Sequence, residues 1–336
     1  MDDHKEIYSL PGTAEEKEWL RERLETLTVR ESLLLTAARM RQPASDLAEV
    51  TQQVCSLPDY TLITPAESYE ELGRRYLERE TRVSWGLHDY ADLEKLGRWY
   101  EDSHPGLFIG NCYVAYPGEL SPSYNGSNLS ALEDTDWLVK LKLASPAVPE
   151  GVWLRLPDYD EMNEEPGEIR LALDALKVKT IQECVLLEAR CILPGITNLA
   201  EQYDDLDALI RDSQNLGFAL DDQGQGMPHF MEKFLAALEF NNCRLLCEAL
   251  DISQNLGCYD FVEADELVET AVEHLKKAGV PDAVIQEGCF DLKEYGAALL
   301  TKNGFTLTAS GNGIRRNEKP FIREFSEAPS EMTMTM

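Results

Sequence analysis

Apolar residues recur along most of the chain at three- and four-residue spacing, the period of a helix that buries one face. Residues 13–42 read as helical, with Leu20, Leu24 and Leu27 followed by Leu33–Leu35, Ala37 and Ala38. A short helix is expected from Ser45, placed as its N-cap, to about Val54. Two more are expected over 68–80, with Leu72, Tyr76 and Leu77 inward, and over 92–101. Leu107-Phe108-Ile109 and the run 112–116 then predict a hairpin turning at Gly110-Asn111. Pro117, Gly118, Pro122 and Gly126 make 117–134 read as a linker. Beyond it Trp137, Val139, Leu141 and Leu143 alternate with Lys140 and Lys142, a strand pattern, and 152–156 supplies a second strand. A helix over 168–176 and a strand over 183–193 follow, the latter with Val185, Leu187 and Ala189 on one side. Helices are predicted over 203–215, 228–240, 242–253, 265–278 and 292–302. A closing hairpin pairs 305–308 with 314–316 around Gly311-Asn312-Gly313, and the last twenty residues read as a polar tail.

Part of this pattern occurs twice. Segment 47–63, LAEVTQQVCSLPDYTLI, aligns without gaps to 246–262, LCEALDISQNLGCYDFV, matching Leu47/Leu246, Glu49/Glu248, Leu57/Leu256 and Tyr60/Tyr259. Each copy continues with an acidic-Leu step, Glu71-Leu72 or Glu266-Leu267. Asp92-Leu93 with Gly97 and Asp291-Leu292 with Gly296 come next, and each copy ends in a hairpin. The shared order predicts a duplication whose copies, 47–116 and 246–316, superpose.

Charge changes the picture most. Among 336 residues, 31 Lys and Arg stand against 61 Asp and Glu, a formal charge of −30. Such a chain gains nothing from neutralising phosphates, so direct nucleic-acid binding and anionic membrane surfaces are disfavoured. No apolar run approaches the roughly 18 residues of a membrane span, and the charged start Met1–Glu6 lacks a signal-peptide core. The eight cysteines form no CxxC pair, and Cys243 and Cys247 are read as sharing one helix face. The expectation is a reduced, cytoplasmic protein with no cofactor and no metal.

None of the five histidines sits in HExxH or beside a nucleophile, and Gly224-Gln225-Gly226 and Gly311-Asn312-Gly313 are lone GxG fragments. No enzymatic activity is expected. Over 201–275 there are seventeen acids and three bases, and over 158–300 thirty and ten. In 67–82 the acids meet arginines at helical spacing, Glu70–Arg74, Glu71–Arg75 and Glu78–Arg82. In 263–278 they do not: Asp265, Glu269 and Glu273 fall on one face, and the two lysines lie at the end. The candidate partner-binding residues are Asp204, Asp205, Asp207, Asp212, Asp221, Asp222, Asp265, Glu266, Glu269 and Glu273, expected to be exposed and unpaired. A solvated acidic face, helped by the helix dipole, is the bland alternative.

From about 135 to 316 the chain resembles the ArdA-type antirestriction proteins of conjugative elements. The stretches that carry the resemblance are VKLKLASPAVPEGVWLRLPD (139–158), YDDLDALIRDSQNL (203–216), FVEADELVETAVEHL (261–275) and FDLKEYGAALLTKNGFTLTASGNGI (290–314). Gly151/Trp153 and Asp291/Tyr295/Gly296 match the family pattern; the earlier copy has Gly97-Arg98 where the later has Gly296-Ala297. The resemblance implies an elongated α+β chain of several small mixed domains. They are 1–117, a partial repeat of the module; 118–134, a linker; 135–200, small α+β; 201–258, acidic helical; 259–316, α+β with the closing hairpin; and 317–336, a flexible tail. It also implies a mimic of B-form DNA that occupies the DNA-binding groove of Type I restriction-modification enzymes, and a homodimer is compatible with it. The alternative is a non-catalytic interaction or scaffold protein of a mobile element that has lost DNA mimicry.

Overall fold

The computed structural model describes residues 6–80, 90–118, 123–132, 134, 137–159, 167–225, 228–287 and 289–326. The fold is α+β. The chain divides into two compact units, 1–188 and 189–336.

Unit 1 opens with α1 (Ala14–Glu25) and α2 (Val29–Arg41), where the apolar pattern predicts one continuous helical stretch. The break has a local cause. Thr28 is extended and caps α2, its hydroxyl accepting from the Glu31 amide while Glu31 turns back to the Thr28 amide. Thr13 and Glu16 form the same box on α1. α3 (Leu47–Cys55) is capped by Asp46, not Ser45; Ser45 instead donates its amide to Glu49, 2.7 Å away. There follow β1 (Thr61–Ile63), α4 (Tyr69–Glu80), α5 (Leu93–Ser103), β2 (Gly106–Ile109) and β3 (Cys112–Ala115), the strands in the order β1-β3-β2. Leu20, Leu24, Leu35, Leu47, Val50 and Val114 lie in one buried cluster.

A second sheet of unit 1 holds β4 (Val139–Ser145), β5 (Val148–Leu156) and β6 (Val185–Cys191), the strand at which the units divide, in the order β5-β4-β6. The helix α6 (Glu168–Leu176) packs on β5. The alternation at 137–143 suggests a solvent face on β4, yet Lys140 is buried, because Asp134 supplies a counter-charge. Val185 and Leu187 share a side of β6 as expected, but that side is exposed.

Unit 2 holds α7 (Leu199–Gln202), α8 (Leu206–Gly224), α9 (Phe230–Phe240), α10 (Leu246–Gln254), β7 (Tyr259–Val262), α11 (Glu266–Lys277), α12 (Asp282–Gln286), α13 (Leu292–Lys302), β8 (Thr306–Leu307) and β9 (Gly313–Arg316). The helix expected over 203–215 begins at the Asp205 cap and runs nine residues further, carried by buried Leu216 and Leu220. Cys243 precedes α10, so it does not share a helix with Cys247; all eight cysteines are free thiols.

The duplication is present in the backbone. The second copy's sheet has the order β7-β9-β8, the counterpart of β1-β3-β2. Leu62 pairs with Val114 and Leu107 with Val114; Phe261 pairs with Ile314 and Thr306 with Ile314, the same register at each step. Asp92 caps α5 through the Lys95 amide at 3.1 Å, and Asp291 caps α13 through the Glu294 amide at 2.9 Å. Five residues on, each helix crosses its predecessor at a glycine. A Cβ on Gly97 would lie 1.9 Å from the Tyr69 carbonyl oxygen, and one on Gly296 2.1 Å from that of Leu267. The Asp-to-Gly spacing therefore encodes a cap and a close backbone approach.

The repeat also reaches further than the aligned segment. Leu35, Ala37 and Ala38 on α2 are buried, as are Phe234, Ala236 and Ala237 on α9, and α2 packs on β3 as α9 packs on β9. After each hairpin the chain returns to the helix that opened the aligned segment. The Tyr124 amide donates to the Gln52 side chain at 2.8 Å, and the Glu324 amide donates to Asp251 at 2.8 Å. Residues 317–326, expected as the start of a free tail, are thus a bound strap. Asp251 also accepts from the Phe325 and Ser326 amides, and Asn255 exchanges two hydrogen bonds with Ile322.

Candidate partner-binding surface

All ten candidate acids belong to unit 2, on α8, α11 and the turns that lead into them. At the start of α8, Asp204 and Asp205 are exposed, and Asp205 is spent locally as the N-cap, accepting from the Asp207 amide at 3.1 Å. Asp207 is half-buried. Asp212 departs from the expectation of a free, exposed acid: it is half-buried, accepts from the Tyr203 hydroxyl at 3.0 Å and lies 3.5 Å from Arg211. Burial and the Asp212 charge together push the Tyr203 phenol up. Asp221 and Asp222 are exposed near the end of α8.

α11 is different. Leu267, Ala271 and Leu275, four residues apart, are its buried face. At ~100° per residue, Glu266, Glu269 and Glu273 fall within an arc of about 60° on the opposite face. They are exposed, as is Asp265 at the N-cap. Of these four, Glu273 alone has a salt bridge among the described residues, to Lys277 at 3.1 Å, and both side chains are so exposed that the pair contributes little. The positive N-terminal end of the helix offsets part of the repulsion among Asp265, Glu266 and Glu269, while His274, Lys276 and Lys277 sit at the far end. Four carboxylates over roughly 12 Å of axis make about one charge per 3–4 Å, close to the 3.4 Å spacing of one DNA strand.

Glu263, just before α11, was not among the candidates, since nothing in sequence separates it from its neighbours. It is half-buried and its carboxylate lies against Nδ1 of His229. Its desolvation raises its pKa, His229 opposes the shift, and Asp265 and Glu266 add to it.

The equivalent helices of the first copy carry matched charge. Arg74 lies 3.3 Å from Glu70, and Arg98 lies 2.9 Å from Glu94. Arg75 pairs with Glu78 at 2.6 Å and not with Glu71, whose carboxylate accepts from the Glu67 amide. The expected Glu78–Arg82 pair reaches outside the described residues.

A second cluster of charge is buried in unit 1. Glu31 is paired with Arg23 and lies 3.5 Å from Arg155; Arg155 lies 3.6 Å from Glu168. Thr28 donates to Glu168 Oε1 at 3.1 Å, and Glu168 Oε2 has no partner among the described residues. Burial pushes Glu168 up to about 7, against the pull of Arg155 and with help from Glu31. Glu31 would also be raised by burial, but Arg23 and Arg155 hold it below its ordinary value. The network joins α2, β5 and α6 and lines a small cleft of about 260 Å³.

Among the described residues no group of three or more His, Cys, Asp or Glu is placed to hold a metal ion. No described helix is long and apolar enough to cross a membrane. No family model, curated protein or solved structure matches the chain.

Proposed function

We propose that the chain is a non-catalytic, cytoplasmic antirestriction protein whose acidic residues stand in for duplex phosphates in the DNA-binding groove of Type I restriction-modification enzymes. The observation that carries this reading is the outward face of α11, where Asp265, Glu266, Glu269 and Glu273 lie exposed over a well-buried apolar face. A rigid helix presenting carboxylates at near-phosphate density competes for cationic grooves without the bending energy that real duplex requires. The resemblance over 135–316 supplies the target class.

A second reading, an interaction or scaffold protein of a mobile element, is favoured by one observation: the arginine-matched acids of the first copy. The two readings separate on charge. Replacing Asp265 by Asn and Glu266, Glu269 and Glu273 by Gln in one variant should weaken protection of unmodified DNA from a Type I enzyme roughly 10–1000-fold, from four screened contacts of about 0.3–1 kcal/mol each. Unchanged protection by this variant would favour the scaffold.

A further inference from the structure

Three asparagines of the chain are followed by glycine: Asn125, Asn303 and Asn312. In each, the side-chain carbon Cγ can close a five-membered ring with the amide nitrogen of the next residue. Glycine, with no side chain, leaves that nitrogen open to approach. The fold treats the three differently.

At Asn303, on the C-terminal end of α13, the Gly304 amide is committed to the Thr301 carbonyl at 3.0 Å. At Asn312, Gly313 is buried within β9, paired with Val262 on one side and Leu307 on the other. Asn312 Oδ1 is itself held by the Ala264 amide at 2.9 Å. Both nitrogens are tied down by the fold around them.

Asn125, Gly126 and Ser127 are all exposed, in the segment that returns from the hairpin of the first copy. Gly126 has φ +88°, its amide has no acceptor among the described residues, and nothing lies within 4 Å of where its Cβ would be. The electrophile is prepared as well. Asn125 Oδ1 accepts from the Ser127 amide at 3.0 Å and from the Ser127 hydroxyl at 3.1 Å. Two donors on one amide oxygen draw charge from Cγ and stand where negative charge gathers when a nucleophile adds. Asn128 braces the turn without touching the reacting atoms. Its Oδ1 accepts from the Asn125 amide and its Nδ2 donates to the Ser123 carbonyl, both at 2.9 Å.

We infer that Asn125–Gly126 is a self-modifying site, at which the chain converts its own asparagine to an acid with the two Ser127 donors assisting. The Gly126 nitrogen loses its proton to solvent base and bonds to Asn125 Cγ; the Cγ–Nδ2 bond breaks and Nδ2 leaves as ammonia. Water then opens the succinimide ring at either carbonyl, giving aspartate or isoaspartate and one more negative charge. No oxidant or reductant takes part. Isoaspartate carries the main chain through the former side chain and lengthens it by one carbon beside Tyr124, whose amide and hydroxyl tie the segment to Gln52 and Glu16 at 2.8 Å each. The inference does not depend on the antirestriction reading.

The test is peptide mapping by mass spectrometry of the full-length protein, incubated in mildly alkaline buffer with and without urea. In the native protein Asn125 should convert at least about tenfold faster than Asn303 or Asn312, with isoaspartate among the products, and urea should close most of that gap. Ser127→Ala should slow conversion at Asn125 about two- to tenfold, the worth of one hydrogen bond, and leave Asn303 unchanged. Comparable native rates at the three sites, aspartate without isoaspartate, or an undiminished rate in Ser127→Ala would each overturn the proposal. So would a gap that persists in urea, since local sequence and not the fold would then select the site.

Discussion

Glu168 is the side chain whose ionisation is most at odds with its surroundings. Buried beside Glu31 at the head of α6, it holds its proton up to about 7, whereas an ordinary glutamate releases it near 4.5. The native state therefore binds the proton more tightly than the unfolded chain, and stability falls as pH rises from about 4.5 to about 7. Glu31, held low by Arg23 and Arg155, acts the other way and below that window, its contribution being lost as pH falls through its depressed pKa. Glu168→Gln should flatten the decline between pH 4.5 and 7 and melt above the native protein at pH 8, as followed by denaturant titration across pH. A variant that keeps the native slope would show that another group titrates there. None of this was legible in the chain, because Glu168 is one of 61 acids and only the tertiary fold buries it. Lys140 was hidden the same way: alternation placed it on a face without saying that Asp134 would be there to pair with it.

Elements were read more successfully where their signal is local. Apart from α7 and α12, too short to show a period, and the break between α1 and α2, the helices and both hairpins follow from apolar period and glycine-containing turns. β1 and β7 were missed because strands of three and four residues carry no alternation to detect; they exist by pairing with β3 and β9. The duplication was visible only where side chains kept their identity, at 47–63 and 246–262. The matching α2 and α9 share buried small residues but few letters, and so were not recognised as copies. Gly97 and Gly296 test whether the copies are one structural solution. Each Cβ would strike a backbone carbonyl, which cannot swing aside as a side chain can. Gly97→Ala and Gly296→Ala should each destabilise the chain by about 1–3 kcal/mol, measured by urea unfolding. A neutral result at one site would mean that the helix crossing differs between copies. The strap makes a separate prediction. Asp251→Asn loses a charged acceptor for three amides, and hydrogen exchange at 324–326 should accelerate at least about tenfold. Unchanged protection would show that Asn255 and the Phe321 contact hold the strap without Asp251.

At the scale of the molecule, the formal charge of −30 is shared unevenly in kind as well as number. The first copy spends its acids on arginines and caps, whereas α11 of the second leaves carboxylates facing solvent. Of the ten candidates, Asp212 is committed to Tyr203, Asp205 to a cap, Glu266 to the Glu263 amide and Glu273 to Lys277, so an acid count alone overstates what is offered to a partner. Helical spacing at 265–273 was the better guide, since it depends on one element and not on tertiary contacts. On the proposed function, this offered charge competes with DNA. The most direct measurement is displacement of a labelled duplex from a purified Type I methyltransferase core by the full-length protein, titrated at 50 mM and 200 mM salt. Full displacement is expected, with an affinity that falls steeply between the two conditions as screening tightens. Binding that leaves the duplex in place, or displacement indifferent to salt, would contradict it.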